Sequence, residues 1–331
     1  MAGAIVAKAP LTVLASVLAV SEGAKAVILY RESQRQLGLA FRVDWRATAA
    51  VVWAAVPYFA TAVALYLNRT DVAILGFMAG SEEVGWYGAA GNFSMLVFLL
   101  FPLMSSVLLP TLRRVHTRSE AQLWRMLSLV TEGILVACVP LALVVGLGAD
   151  IWVHIAFGSE FDNAAPSLRV LAVQALFTYM ASLSSLALIV IGRRWTVTMA
   201  SLSGVVVGPL VAVVLIPILA RHVGPGGAGA GAAIGAIATE GVVLGVQGAV
   251  LGSHLFGRHI LTLIAKCVCL SAGIVALHVL LAPIGPLRLV VDAIAYLAVG
   301  IPLGVLPAAK LVGLAREISF TRRQPQADAE P

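Results

Sequence analysis

Residues 195–219 read WTVTMASLSGVVVGPLVAVVLIPIL, without one charged side chain. A bilayer core ~30 Å thick is crossed by about 20 helical residues at ~1.5 Å each, so this run is long enough to span it. Outward from it, similar runs lie between charged clusters at 11–30, 47–80, 84–112, 123–147, 164–191, 228–251, 260–281 and 287–309, making nine expected spans in all. They are continuously apolar rather than alternating, which favours helices over barrel strands. Hydrophobic residues are 60% of the chain and charged residues 11%. A soluble domain has ~45–50% and ~25%, so a soluble globular class is excluded. The expected fold is an all-α, polytopic transmembrane helical bundle.

Lys and Arg in short connections stay cytoplasmic. One set of span ends carries Arg31, Arg35, Arg42, Arg46, Arg113, Arg114, Arg118, Arg125, Arg193, Arg194, Arg258, Lys310, Arg316, Arg322 and Arg323. The other carries Glu82, Glu83, Asp150, Glu160 and Asp162, with Lys8, Arg169, Arg221 and Arg288 as exceptions. This places the C-terminus in the cytoplasm. An odd number of spans then puts Met1 outside, although the chain opens with no cleavable signal pattern. The positive-inside bias accounts for the net charge of +6, so no nucleic-acid partner is expected.

Two patterns are set aside. Gly224, Gly226 and Gly229 match G-x-G-x-x-G but lead into an apolar span with no soluble strand before them, so a tight turn and close helix packing are expected instead of a nucleotide. Gly- and Ala-rich sequence from Gly226 to Gly252 fits the same packing role. Cys138, Cys267 and Cys269 lie within expected spans, which disfavours a disulfide or zinc site. No cofactor or metal is expected.

Charges at membrane depth carry the functional signal. Arg69 and Asp71 interrupt the second run in Leu67-Asn68-Arg69-Thr70-Asp71, and each charge costs ~2.5–3.5 kcal/mol at a helix centre. They should face protein or water. Two residues apart they do not share a helical face unless the helix breaks near Pro57 or Asn68. Glu240, near the middle of the seventh run, is the deepest carboxylate and a proton or cation site. Its bland alternative is a carboxyl group neutralised by burial or bonded to another helix. Glu132 and Arg169 are weaker candidates, while Glu22, Lys25 and Lys266 sit close enough to span ends to snorkel.

The run Asn68-Arg69-Thr70-Asp71-Val72-Ala73-Ile74-Leu75-Gly76, then Val84-Gly85-Trp86-Tyr87-Gly88-Ala89-Ala90 with Pro102 and Pro110, resembles the second-lobe opening of polysaccharide biosynthesis flippases. These belong to the multidrug, oligosaccharidyl-lipid and polysaccharide exporter superfamily. Phe157-Gly158-Ser159-Glu160-Phe161-Asp162-Asn163-Ala164-Ala165, Leu215-Ile216-Pro217 and Gly229-Ala230-Gly231-Ala232-Ala233-Ile234-Gly235-Ala236 continue the resemblance. It implies a six-helix C-terminal lobe over 46–255, preceded by a single span and basic loop over 1–45. Two added spans at 256–310 and a cytoplasmic tail at 311–331 follow. Most of the first lobe is absent on this mapping.

The resemblance further implies a non-enzymatic transporter of the inner membrane, moving a lipid-linked oligosaccharide by alternating access. Arg69 and Arg169 would bind its diphosphate, while Asp71 and Glu240 would couple ions or line the cavity. Membrane lipids and a separately encoded N-terminal half or a second copy are the expected partners. Three alternatives stay open: a multidrug or cation antiporter of the same superfamily, a partial membrane partner that transports nothing, and a glycosyltransferase or polymerase. The short loops disfavour the last.

Overall fold

The computed structural model describes residues 11–37, 44–67, 70–95 and 101–306. Every regular element among them is helical, with twelve α-helices joined by short connections. The chain divides into two compact units, Met1–Val56 and Pro57–Pro331.

In the first unit, α1 (Leu11–Leu37) carries local polar pairs, Lys25 Nζ to Glu22 Oε1 at 2.7 Å and Gln36 to Glu32 at 2.8 Å. Asp44 Oδ1 accepts the N–H groups of Arg46 and Ala47 at 2.9 and 3.3 Å. Such a carboxylate satisfies the donors that a helix start leaves open, and α2 (Trp45–Leu67) begins there.

From Pro57 onward, the remaining helices are α3 (Thr70–Ala79), α4 (Ser81–Ser94), α5 (Phe101–Arg118), α6 (Glu120–Leu147), α7 (Ala149–Phe157), α8 (Ala165–Val190), α9 (Arg194–Val223), α10 (Gly227–Leu251), α11 (Arg258–Leu280) and α12 (Arg288–Gly300). Seven helical stretches among the described residues are long and apolar enough to cross a membrane. Of the nine expected spans, those at 11–30 and 84–112 are not among the seven, and a third run, 47–80, keeps its span but is divided. The run 47–80 parts into α2, ending at Leu67, and the short α3, beginning at Thr70. The run 84–112 parts into α4 and α5, neither of which is among the seven. Hydropathy averaged along a chain does not register such breaks when apolar residues flank them.

α8 is the centre of the main core. Its Leu168, Leu171, Ala175, Leu183 and Leu188 are buried against Leu123 and Leu127 of α6, Tyr87 and Ala90 of α4, and Ala232 and Ala233 of α10. A second cluster joins Leu135 and Val139 of α6 to Leu263, Leu270 and Ile274 of α11 and Tyr296 of α12. Between α9 and α10 the backbones approach closely. A Cβ added at Gly208 would overlap the Thr239 hydroxyl and lie 3.1 Å from the Gly235 carbonyl. Small residues thus let these helices pack, as their composition predicts. Pro57 contributes a different link. Its carbonyl accepts from the Thr198 hydroxyl of α9 at 2.9 Å and from Thr61 at 2.8 Å.

Candidate functional site

Three sequence segments far apart in the chain meet at one end of the second unit. α4 supplies Glu83, Trp86 and Tyr87; the turn of 3-10 helix Ser159–Ala164 supplies backbone carbonyls; the glycine loop before α10 supplies N–H groups. Glu83 binds in two places, Oε1 accepting from Gly226 N–H at 2.7 Å and Oε2 from Gly229 N–H at 3.0 Å. A helix N-terminus and its free N–H groups attract an anion. Here the anion is the protein's own carboxylate. Gly226 adopts φ +83°, and a Cβ there would overlap the Asn163 carbonyl. The loop therefore needs glycine for its backbone and for close packing. That is the turn-and-packing role expected of the motif, joined to a carboxylate that the motif alone does not reveal.

Trp86 Nε1 donates to the Glu160 carbonyl at 3.1 Å. Tyr87 donates its hydroxyl hydrogen to Asp71 Oδ2 at 2.6 Å, while Asp71 Oδ1 accepts the Val72 N–H at 2.8 Å. Asp71 is thus held at the first turn of α3, where a negative charge is favoured. Arg69 lies outside the described residues. A cavity of about 360 Å³ adjoins the knot, lined by Met78, Glu83, Ile216, Pro217 and Gly224 among others.

Arg169 stands on α8 beside α7. Its Nη2 donates to both Asp150 oxygens, at 2.5 and 2.6 Å, and Arg288 of α12 approaches Asp150 at 3.8 Å. His154 and Asp162 pair nearby at 3.0 Å. A cavity of about 530 Å³ borders Asp150, His154, Asp162 and Arg288. Arg169 is already engaged by a carboxylate, so an anionic ligand would have to displace Asp150. Both side chains are 48% exposed, which weakens the pair and permits exchange.

Glu240 faces the Thr178 hydroxyl of α8. Two helical turns on, Gln247 of α10 donates to Ser185 of α8 at 2.8 Å. Both contacts lie between α8 and α10. Glu132 of α6 meets exposed His259 at 3.7 Å, and Lys266 donates to the Leu303 carbonyl at 2.9 Å. No hydrogen bond or ion pair among the described residues joins Asp71, Arg169 and Glu240 to one another.

Sequence reading missed the role of Glu83, whose neighbours Glu82 and Gly85 give no hint of partners 143 and 146 positions away. It also missed Gln247, Ser185, His278 and Asp292. Polar residues inside apolar runs were the available signal. Residues 4–166 match a family model described as polysaccharide biosynthesis protein. That match takes in Asp71, Glu83, Tyr87 and the 159–164 turn, and stops short of Arg169, Glu240 and the glycine loop. No curated protein and no solved structure matches the chain.

Proposed function

We propose, on the premise that residues 4–166 carry the pattern of polysaccharide biosynthesis proteins, that this multi-pass membrane protein translocates a lipid-linked oligosaccharide by alternating access. The supporting observation is the knot of Glu83, Trp86 and Tyr87, the 159–164 turn and the glycine loop. It gathers the resembling segments at one polar end of an apolar bundle. A sugar headgroup crosses hydrocarbon poorly because each unpaired hydroxyl costs several kcal/mol to desolvate. Polar groups between helices replace the lost water while the lipid tail stays in the bilayer.

In this reading Arg69 and Arg169 take the anionic linker of the carrier lipid, Arg169 by exchanging Asp150 for phosphate oxygens in a bidentate contact. Asp71 and Glu240 bind the coupling proton or cation. No bond is made or broken, so the protein is a transporter and not an enzyme. A cavity between two lobes takes a second lobe, provided by another copy or a separately encoded half. The protein sits in the cytoplasmic membrane with its C-terminus in the cytoplasm.

Headgroup protection of a fluorescent lipid-diphosphate oligosaccharide in proteoliposomes tests this. The chain alone is compared with the chain plus any separately encoded first lobe. Flipping in either arm, lost in Arg69→Ala, supports the reading. Export of cationic drugs without flipping favours the antiporter alternative, and no transport of either kind overturns both.

A further inference from the structure

Asp150 lies between two arginines from different helices. Arg169 of α8 holds it through Nη2, at 2.5 and 2.6 Å, whereas Nη2 of Arg288 in α12 stops 3.8 Å from Oδ2, beyond hydrogen-bond length. Arg288 is the less exposed arginine, 21% against 48%, and its Nε is buried with no hydrogen-bond partner among the described residues. Other carboxylates nearby are committed elsewhere. Asp292, one turn along α12, meets His278 through Oδ2, and Asp162, on the same cavity as Arg288, pairs with His154 at 3.0 Å. Among the described residues, Asp150 is the one carboxylate within ion-pair reach of Arg288.

Side-chain rotation is enough to close the gap. α7 and α12 meet beside it: a Cβ on Gly148, just before α7, would lie 2.9 Å from Cδ1 of Leu289, the residue after Arg288. The cavity of about 530 Å³ borders both Asp150 and Arg288 and gives their side chains room. Asp150 also stands in the first turn of α7, where a carboxylate is favoured whichever arginine it faces. An exposed ion pair is worth little, and a less exposed partner is screened less. Moving Asp150 from Arg169 to Arg288 therefore costs little.

We propose that Arg288 is the alternate partner of Asp150: a phosphate-class anion takes Arg169, and Asp150 passes to Arg288 instead of losing its cation. This rests on the reading above that Arg169 binds an anionic linker. Arg288 is a positioning residue, which acts on the anion through Asp150. The displaced carboxylate finds a second guanidinium within a few ångströms, so the anion gains the charge-assisted contacts of Arg169 without stranding Asp150. The exchange also ties helices together, because Asp150 on Arg288 joins α7 to α12 while Arg169 holds the anion at α8.

The test is a double-mutant cycle on the full chain in detergent, read by the thermal unfolding midpoint. Arg288→Gln is expected to lower the midpoint slightly in wild type, where Asp150 is on Arg169, and several-fold more in Arg169→Gln, where Asp150 has moved. With Asp150→Asn in place the two arginine substitutions should add, since the carboxylate they share is gone. Inorganic pyrophosphate at constant ionic strength should act as Arg169→Gln does, enlarging the loss from Arg288→Gln in protein that keeps Arg169. Should the variant lacking both arginines fail to fold, Asp150→Asn in Arg169→Gln protein decides, because it lowers the midpoint only while Arg288 holds the carboxylate. Additive arginine substitutions, or a neutral Asp150→Asn in Arg169→Gln protein, overturn the exchange. A coupled cycle with no pyrophosphate response keeps Arg288 as the alternate partner and removes Arg169 from the linker-binding reading.

Discussion

At the residue scale, Glu83 ties α4 to the glycine loop before α10. Its two bonds to Gly226 and Gly229 N–H groups are charge-assisted, and removing one partner leaves buried donors unsatisfied. Glu83→Ala is expected to destabilise the detergent-solubilised protein by about 1–3 kcal/mol. Glu83→Gln, which keeps an acceptor, should lose less, as read by thermal unfolding. Equal loss in both variants would remove the charge from the explanation. Glycines make a matched pair at the same site. Gly226→Ala meets a left-handed backbone and the Asn163 carbonyl, and is expected to lower the midpoint, whereas Gly85→Ala enters open space inside α4 and is neutral or mildly stabilising. The glycine motif was visible in the sequence. Its occupant was not, because nothing in local spacing ties a glutamate in α4 to a loop before α10.

Between elements, the α9–α10 contact depends on absent side chains. A Cβ at Gly204 would come within 2.9 Å of Thr239 Cγ2, and one at Gly208 would overlap the Thr239 hydroxyl, whereas Gly241 and Gly245 have open space. Gly208→Ala is therefore expected to push the helices apart and reduce stability, and Gly241→Ala to leave it unchanged, in the same melting assay. Similar loss from both would mean that helix spacing does not set stability here. Thr198 gives a second handle. Its hydroxyl serves the Pro57 carbonyl, and Thr198→Val keeps the shape while removing that bond. Hydrogen bonds between membrane helices average about 0.6 kcal/mol, so a small loss is expected. Helix identity in 123–147, 164–191, 195–219, 228–251 and 260–281 was legible from hydropathy to within a few residues of α6, α8, α9, α10 and α11. The end of α4 at Ser94 was harder to read, since no charged residue marks it in the sequence.

For the whole molecule, the charge bias makes a prediction about orientation. Asp162→Cys and Arg114→Cys stand in segments expected on opposite faces of the membrane. An impermeant thiol reagent applied to intact cells should label the first and spare the second, with the parent chain as control for its own thiols. Labelling of Arg114→Cys alone would invert the orientation. What the amino-acid order determined by itself is the helical, membrane-spanning character, because the cost of burying backbone and charge in hydrocarbon acts on every run whatever its neighbours. It also exposed the unusual charges at Asp71, Arg169 and Glu240. The tertiary structure decided what each charge meets: Asp71 with Tyr87, Arg169 with Asp150, and Glu240 with Thr178. Electrostatic and hydrogen-bond energies fall off over a few ångströms, and only the packing of distant helices brings those groups within that reach.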